Sequence, residues 1–255
     1  MNLDKARILV TGGSSGLGKA MAAALIAKGA HVAITGRDPD KLQRVAEELG
    51  ATPLEGRMDR ESELMLVFAQ LDAMWGGLDV LINNAGIGRF EPMQEVEKSH
   101  FDEVFPTNVY GPALAGREAV KRFMAQGYGH IINVASSAGV KGFKNGTVYA
   151  ASKFALRGMT ECWREELRPH NIRVMLINPS AVPTAFNVTV AAVNAWCDEN
   201  DVSVFDTYLW MDVFCLNQHT EVPGSRTMTE QELADAFARS VASAGHTLFV
   251  CTPWH

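Results

Sequence analysis

Short apolar runs alternate along this chain with longer segments of helical composition. Apolar runs of strand length occur at 6–10, 31–35, 78–82, 130–135 and 172–177, with a less apolar one at 52–57. Segments rich in helix formers occupy 19–27, 61–75, 98–126 and 148–167. Pro106 and Pro112 must kink or break the third of these segments. The alternation predicts an α/β fold, a doubly wound parallel sheet with helices on both faces.

A glycine-rich turn follows the first apolar run, reading Thr11-Gly-Gly-Ser-Ser-Gly-Leu-Gly18 before a helical segment. A strand, a glycine turn and a helix in this order are the context of a dinucleotide site in a Rossmann-like sheet. The free N–H groups of the helix N-terminus suit a pyrophosphate. The alternative is a glycine-rich loop that binds nothing. The residues predicted to contact the dinucleotide in this turn are Gly12, Ser14, Ser15, Gly16, Leu17 and Gly18.

The end of the second apolar run bears on which dinucleotide is bound. An acidic residue at this strand end holds the ribose hydroxyls of NAD, whereas a nearby arginine accommodates the 2′-phosphate of NADP. Here the run ends in Gly36-Arg37. The sequence therefore predicts NADP rather than NAD, the alternative being that Arg37 is an ordinary surface charge.

Tyr149 and Lys153 stand four residues apart in a predicted helix, so their side chains share one face. Free tyrosine has a pKa of about 10, and a fixed ammonium group nearby lowers it. Such a tyrosine can give a proton to a carbonyl oxygen or take one from an alcohol. The pair alone is compatible with any amphipathic helix. The functional interpretation of the pair is supported by the polar residues at other strand ends. These residues should lie near the pair, because the carboxyl ends of parallel strands meet at one edge of the sheet.

Together these motifs resemble the short-chain dehydrogenase/reductase family, in its single-domain type. The matching residues are Thr11-Gly12-x-x-x-Gly16-x-Gly18, Asn83-Asn84-Ala85-Gly86, Asn108, Ser136, Tyr149-x-x-x-Lys153 and Asn178-Pro179. The resemblance covers about residues 5–186 and implies an NAD(P)-binding domain over 1–186. It also implies an oxidoreductase that transfers a hydride between NADP(H) and a ketone or secondary alcohol, working as a homodimer or homotetramer.

The resemblance implies a catalytic role for four residues. Tyr149 resembles the general acid/base, and Lys153 would lower its pKa and hydrogen-bond the nicotinamide ribose. Ser136 would polarise the substrate oxygen; Ser137 is one residue out of register with the family interval. Asn108 resembles the asparagine that anchors a water relay to the lysine.

Further cofactor contacts follow from the same resemblance. Asp59 matches the position that hydrogen-bonds the adenine amino group, and Asn83 would line the cofactor cleft. Val182 and Thr184 follow the sixth strand, in a segment that would run alongside the nicotinamide carboxamide. Tyr149 and Lys153 would also touch the cofactor.

The chain departs from the family pattern towards its end. Pro179-Ser180 stands where the family has Pro-Gly, and residues 187–255 contain nothing like the family's final segment. This tail is acidic and lacks lysine. It is either a divergent substrate lid with a last strand or a fragment of another α/β module. If it leaves the substrate pocket unformed, the alternative function is a non-catalytic NADP(H)-binding module.

Composition narrows the remaining classes of function. The chain has 255 residues and a net charge of −6, which argues against a nucleic-acid partner. No apolar run approaches the ~18 residues of a membrane span. The seven histidines and four cysteines lack metal-ligand and C-x-x-C spacing, so we expect no metal site and reduced thiols. With no room for a signal peptide before the first strand, we expect a cytoplasmic enzyme acting on a small carbonyl or alcohol.

Overall fold

Six parallel strands form a single sheet in the computed structural model, which describes residues 3–179. Their order across the sheet is β3-β2-β1-β4-β5-β6, and every neighbouring pair is parallel. The strands are β1 (Arg7–Val10), β2 (His31–Gly36), β3 (Thr52–Glu55), β4 (Val80–Asn83), β5 (Gly129–Val134) and β6 (Ile172–Ile177). The predicted α/β fold with a doubly wound, Rossmann-like sheet is confirmed.

Within residues 3–179, six α-helices connect these strands. They are α1 (Gly16–Ala27), α2 (Pro39–Leu49), α3 (Glu61–Trp75), α4 (Lys98–Phe105), α5 (Gly111–Gln126) and α6 (Thr147–Leu167). The sequence analysis did not identify α2, although its ends carry clear signals. Asp38 caps it by accepting from the Lys41 N–H, Pro39 opens its first turn, and Gly50 ends it in the left-handed region at φ 73°.

The long helical segment after β4 is broken where its prolines predict. Pro106 stands at the C-terminal end of α4, and one π-helical turn, Pro106–Tyr110, joins it to α5. Pro112 falls in the first turn of α5, where a missing N–H is tolerated. Such π-turns recur at functional sites. This one carries Asn108, whose exposed fraction is only 1%.

Two neighbouring strands inside the sheet, β4 and β5, are buried along their whole length. β4 and β5 contain no exposed position, as expected for a parallel sheet covered on both faces. Phe68 of α3 and Phe123 of α5 pack in the same cluster as Leu81 and Ile131 of these strands. A close-packed interior of this kind is rigid, so it fixes the carboxyl ends of the strands relative to each other.

A polar cluster ties the strands together at their opposite, amino ends. The carboxylate of Asp79 accepts from Arg7 Nη2 at 2.6 Å and from the hydroxyl of Tyr128 at 2.7 Å. Burial raises the pKa of Asp79, but the hydrogen bonds from Arg7 and Tyr128 outweigh it and leave the pKa below its ordinary value. The ionised Asp79 thus links the starts of β1, β4 and β5, far from the sheet edge that carries the candidate chemistry.

Candidate active site

The candidate residues gather at the carboxyl edge of the sheet. The chain order reverses direction between β1 and β4, which are neighbours in the sheet, and ligands of open α/β sheets bind at such a switch point. The glycine turn follows β1, Asn83 ends β4, and Ser136 comes two residues after β5. Tyr149 lies in the first turns of α6. One crevice therefore collects motifs that are far apart in the chain.

Two glycines of the turn have no room for a side chain. Gly12 has φ 66°, and a Cβ there would lie 2.9 Å from the Cα of Ala85. A Cβ on Gly18 would collide with the carbonyl oxygen of Gly12 and with Nδ2 of Asn84. The turn after β1 and the start of α1 can approach this closely only because both positions are glycine.

The N-terminus of α1 fits the pyrophosphate of a dinucleotide. Ser15 precedes the helix without capping it through its side chain, and the first turn contains no acidic residue. Gly16, at φ 52°, has open space where a Cβ would stand. The first N–H groups and the positive end of the helix dipole therefore face an unobstructed surface. Leu17 follows inside the helix, and Ser14 Oγ lies beside Gly36 at the end of β2.

Arg37 and Asp59 follow β2 and β3. Arg37 is exposed and forms no ion pair within residues 3–179. Asp59 receives two bonds from Arg57, Nη2 to Oδ2 at 2.7 Å and Nε to Oδ1 at 3.1 Å. These bonds lower the pKa of Asp59, so its carboxylate is ionised and can act only as an acceptor.

The side chain of Asn83 points into the interior of the protein, whereas the sequence predicted that it lines the cofactor cleft. The side chain is 2% exposed, and its Nδ2 donates to Oδ1 of Asn133 at 2.9 Å. Asn133 in turn donates to Oγ1 of Thr160 at 2.8 Å. A strand end buried on both faces has to pair its amide internally, so this side chain is committed to the interior between β4, β5 and α6.

Asn84 holds β1 and β4 together. Its Nδ2 donates to the carbonyl oxygens of Thr11 and Gly12 at 2.9 and 3.3 Å. Thr11 Oγ1 accepts in return from the N–H groups of Asn84 and Ala85, both at 3.0 Å. The glycine turn between β1 and α1 is thereby fixed to the strand beside it.

Tyr149, Lys153 and Ser136 share one pocket. Tyr149 is half-buried and hydrogen-bonded to Ser136. Lys153 is 4% exposed; its Nζ lies 5.8 Å from the centre of the Tyr149 ring and donates to the carbonyl oxygen of Val134 at 3.0 Å. Ser136 Oγ also accepts from the N–H of Ala138 at 3.1 Å, which fixes the hydroxyl after β5. This arrangement can present a phenol and a hydroxyl to the same substrate oxygen.

The electrostatics of the pair correct one expectation. Burial raises the pKa of Tyr149 above 10.0, and the bond with Ser136 opposes this only partly. Burial lowers the pKa of Lys153 from 10.5 to about 8. The net pKa of Tyr149 is therefore raised, not lowered as expected, because desolvation penalises the phenolate and the Lys153 ammonium donates to the carbonyl of Val134.

Asn108 lies next to Lys153. Its Oδ1 accepts from the N–H of Ile87 at 2.8 Å, and its Nδ2 donates to the carbonyl of Ile87 and to Ser152 Oγ at 2.9 and 3.0 Å. A Cβ on Gly86 would lie 3.4 Å from both Asn108 Oδ1 and Lys153 Nζ. The two polar groups therefore flank the same small space, which only a glycine leaves open.

The buried ammonium of Lys153 predicts a pH dependence of stability. Between about pH 8 and 10.5 the unfolded chain keeps the lysine proton whereas the folded protein releases it, so the wild-type free energy of unfolding should rise relative to that of Lys153→Met. The relative gain is up to about 3 kcal/mol across this window. Urea unfolding of both proteins at about pH 7.5 and 9.5 should show about 2 kcal/mol of this gain, the part that falls between the two pH values. An unchanged difference would contradict a lowered pKa of Lys153.

Some expectations concern residues outside those described, namely Val182, Thr184 and the tail 187–255. Within residues 3–179, no cluster of three His, Cys, Asp or Glu is arranged to hold a metal ion. None of the helices in this part of the chain is long and apolar enough to cross a bilayer.

Comparison with known proteins points to one family. The family model for short chain dehydrogenases matches residues 6–195. An uncharacterized oxidoreductase of Staphylococcus aureus (strain MRSA252) is 33% identical over 186 residues, which is 71% of this chain and 80% of that protein. A 3-dehydrosphinganine reductase of Danio rerio is 27% identical over 262 residues, or 99% of this chain and 76% of that protein.

A solved structure points to the same kind of enzyme as the sequence comparisons. The crystal structure of a 3-ketoacyl-(acyl-carrier-protein) reductase from Brucella melitensis, complexed with NADH, matches with a TM-score of 0.69 and 32% identity over 73% of this chain and 80% of that one. The glycine turn, the Asn84 clip and the shared Tyr149–Lys153 pocket are thus features of a sheet whose relatives are oxidoreductases. With its family match extending over most of its length, the chain belongs to the short-chain dehydrogenase family.

Proposed function

We propose that the protein reduces a ketone to a secondary alcohol with NADPH, and that Tyr149 is the general acid. The observation that carries this proposal is the half-buried phenol of Tyr149, hydrogen-bonded to Ser136 beside the buried ammonium of Lys153. Since its pKa is raised from an ordinary value of 10.0, the phenol is protonated at neutral pH. The tyrosine is therefore prepared to donate a proton, which is the requirement of the reductive direction.

In this proposal, different parts of the site bind the cofactor and transfer the proton. The uncapped N-terminus of α1 would hold the cofactor pyrophosphate, and NADPH, when bound, supplies the hydride. Tyr149 donates its proton to the carbonyl oxygen as negative charge develops there. Ser136 donates a hydrogen bond to the same oxygen and stabilises that charge.

Lys153 and Asn108 support the tyrosine after it has lost its proton. With a pKa of about 8, Lys153 is mostly cationic at neutral pH. A phenolate at Tyr149 would be stabilised by this cation, although the neutral phenol leaves Lys153 bonded to Val134. Asn108 lies across the gap at Gly86 from Lys153. Once Lys153 has passed a proton towards the Tyr149 phenolate, a water in this gap could return a proton to the neutral amine that remains.

The choice of NADPH over NADH rests on the end of β2. Ser14 Oγ lies beside Gly36 and exposed Arg37 follows it, while no acidic residue ends the strand. This combination supports recognition of a 2′-phosphate. We expect Arg37→Ala to weaken NADPH binding about tenfold or more, because a charge-assisted bond to a phosphate is lost. NADH binding should change less than about twofold. Titration of cofactor fluorescence measures both, with Arg44→Ala, an exposed arginine of α2, as the control.

Equal weakening of NADPH and NADH by Arg37→Ala, or an effect as large from Arg44→Ala, would contradict recognition of a 2′-phosphate. In that case Arg37 would act through general surface charge, which ionic strength screens.

The non-catalytic alternative has less support. The matched relatives carry oxidoreductase names, and the alignment with the 3-dehydrosphinganine reductase spans 99% of this chain. That span favours a tail that completes the same domain over an unrelated fragment. We therefore propose a catalytic cytoplasmic enzyme, and we propose that it forms a homodimer or homotetramer through α5 and α6, to be measured by light scattering.

Consumption of NADPH in the presence of ketones tests the main proposal. The decrease in nicotinamide absorbance should require both the protein and a carbonyl compound, and the alcohol product should accumulate in equal amount. Tight NADPH binding without turnover across aliphatic, aromatic and hydroxylated ketones would favour the non-catalytic module instead.

A further inference from the structure

Two exposed aromatic rings lie next to each other, and one of them contacts Tyr149. The ring of Phe90 meets that of Tyr149 edge-on at 5.5 Å between centres, and the ring of Phe143 lies 5.9 Å from that of Phe90. Phe90 is 53% exposed and Phe143 is 48% exposed. We call Phe90 and Phe143 the aromatic wall. Large apolar side chains left in water next to a polar reactive group are costly unless something apolar covers them.

Each ring of the wall rests against a glycine. A Cβ on Gly88 would lie 2.7 Å from Cζ of Phe90, and a Cβ on Gly146 would lie 2.5 Å from Cζ of Phe143. Neither glycine has a positive φ, and that of Gly146 is −93°. The backbone conformation would accept alanine at both positions. It is therefore the position of the two phenylalanine rings that requires glycine there.

The two loops that carry the wall are joined to each other. Phe90 follows β4, and Phe143 follows β5. The N–H of Glu91 donates to the carbonyl of Asn145 at 3.0 Å, and Thr147 Oγ1 donates to Sδ of Met93 at 3.9 Å. The aromatic wall is thus one surface fixed relative to Tyr149.

Charges on these loops do not compete for this surface. Arg89 is paired with Glu91 at 2.8 Å. Lys141 and Lys144 are exposed, so their ammonium groups remain hydrated. The group that meets Tyr149 directly is the apolar edge of Phe90. A polar substituent placed there would lose its water without gaining a partner.

Building on the proposed ketone reductase, we propose that the aromatic wall binds an apolar substituent of the substrate. The enzyme then selects ketones that carry an aryl group or an alkyl chain near the carbonyl. With the carbonyl oxygen at Tyr149 and Ser136, the substituent covers Phe90 and Phe143. Burial of apolar surface and edge-to-face ring contacts both favour this arrangement.

Three methyl ketones with the same reacting group test the selection. We expect kcat/KM for benzylacetone to exceed that for acetone and for hydroxyacetone by about tenfold or more, since even one methylene in an apolar pocket discriminates by about this factor. Phe90→Ala and Phe143→Ala should lower the value for benzylacetone about tenfold and that for acetone less than about twofold. Leu66→Ala, which truncates a 62% exposed residue of α3, should change neither.

The glycines provide a second test that leaves both rings present. Gly88→Ala and Gly146→Ala should displace the rings and reduce the preference for benzylacetone in the same direction. Acetone, which reaches only Tyr149 and Ser136, should be reduced as before. A wild-type preference for hydroxyacetone, or equal losses for all three ketones in the Phe90 and Phe143 variants, would overturn the proposal.

A binding measurement separates this inference from the proposed reaction. Calorimetric titration of the NADPH-loaded protein with the alcohol of benzylacetone involves no turnover, because the reduced cofactor cannot oxidise the alcohol. If no ketone consumes NADPH but this alcohol binds and Phe90→Ala weakens it about tenfold, the proposed reaction fails and the apolar site stands. If ketones are reduced but Phe90→Ala leaves this affinity unchanged, the apolar site fails and the reaction stands.

Discussion

Tyr149→Phe should abolish NADPH-dependent ketone reduction, lowering kcat by about 10²–10⁴-fold, the contribution of a positioned general acid. The substitution removes only the hydroxyl that Ser136 bonds. The phenyl ring keeps its edge-on contact with Phe90, which lies 5.5 Å away between ring centres. Initial rates of NADPH consumption at saturating ketone, with a fluorescence titration of NADPH, separate the loss of catalysis from a loss of binding.

Tyr110→Phe is the matched control. Tyr110 ends the π-helical turn and is 55% exposed, so removing its hydroxyl should leave kcat within about twofold. The assignment of Tyr149 as the acid would be wrong if its phenylalanine variant kept more than about a tenth of the wild-type kcat. A loss of NADPH binding in Tyr149→Phe would indicate a role for the hydroxyl in holding the cofactor instead.

Gly18→Ala should impair cofactor binding and stability together. The new Cβ would collide with the carbonyl oxygen of Gly12 and the Nδ2 of Asn84, both of which hold the turn against β4. Neither neighbour is the end of a long flexible side chain, so the turn has to move. We expect the free energy of unfolding to fall by about 1–3 kcal/mol, as in other overpacked sites. We also expect NADPH affinity to fall about tenfold or more, because the displaced N-terminus of α1 would no longer be aligned with the pyrophosphate that we propose it binds.

Gly158→Ala is the same chemical change, but we expect it to raise the stability of the protein instead of lowering it. Gly158 lies inside α6, and a Cβ there would have nothing within 4 Å. Alanine should therefore stabilise the protein by about 0.5–1 kcal/mol through its helix propensity. Denaturant unfolding and NADPH titration of both variants measure the contrast. If Gly18→Ala were as stable as wild type and bound NADPH normally, close packing of α1 on the turn would not be what requires the glycine.

Most of the fold could be predicted from local pattern. The apolar runs located all six strands to within a few residues, and Pro106 located the break between α4 and α5. Local pattern did not predict α2, because its segment is short and polar, and the signals that mark its ends are the capping residues Asp38 and Gly50. The convergence of the glycine turn, Ser136 and Tyr149 was also predictable, because parallel strands bring their carboxyl ends to one edge.

The sequence by itself determined the family, the sheet and the pairing of Tyr149 with Lys153, since these depend on periodicity, motif order and helical spacing. Only the tertiary structure decided that Asn83 turns inward to Asn133, that burial raises the pKa of Tyr149, and that Phe90 contacts both Tyr149 and Phe143. These outcomes depend on which buried group finds a partner and how much water is excluded. Desolvation and side-chain direction arise between segments that are distant in the chain, so no local pattern encodes them.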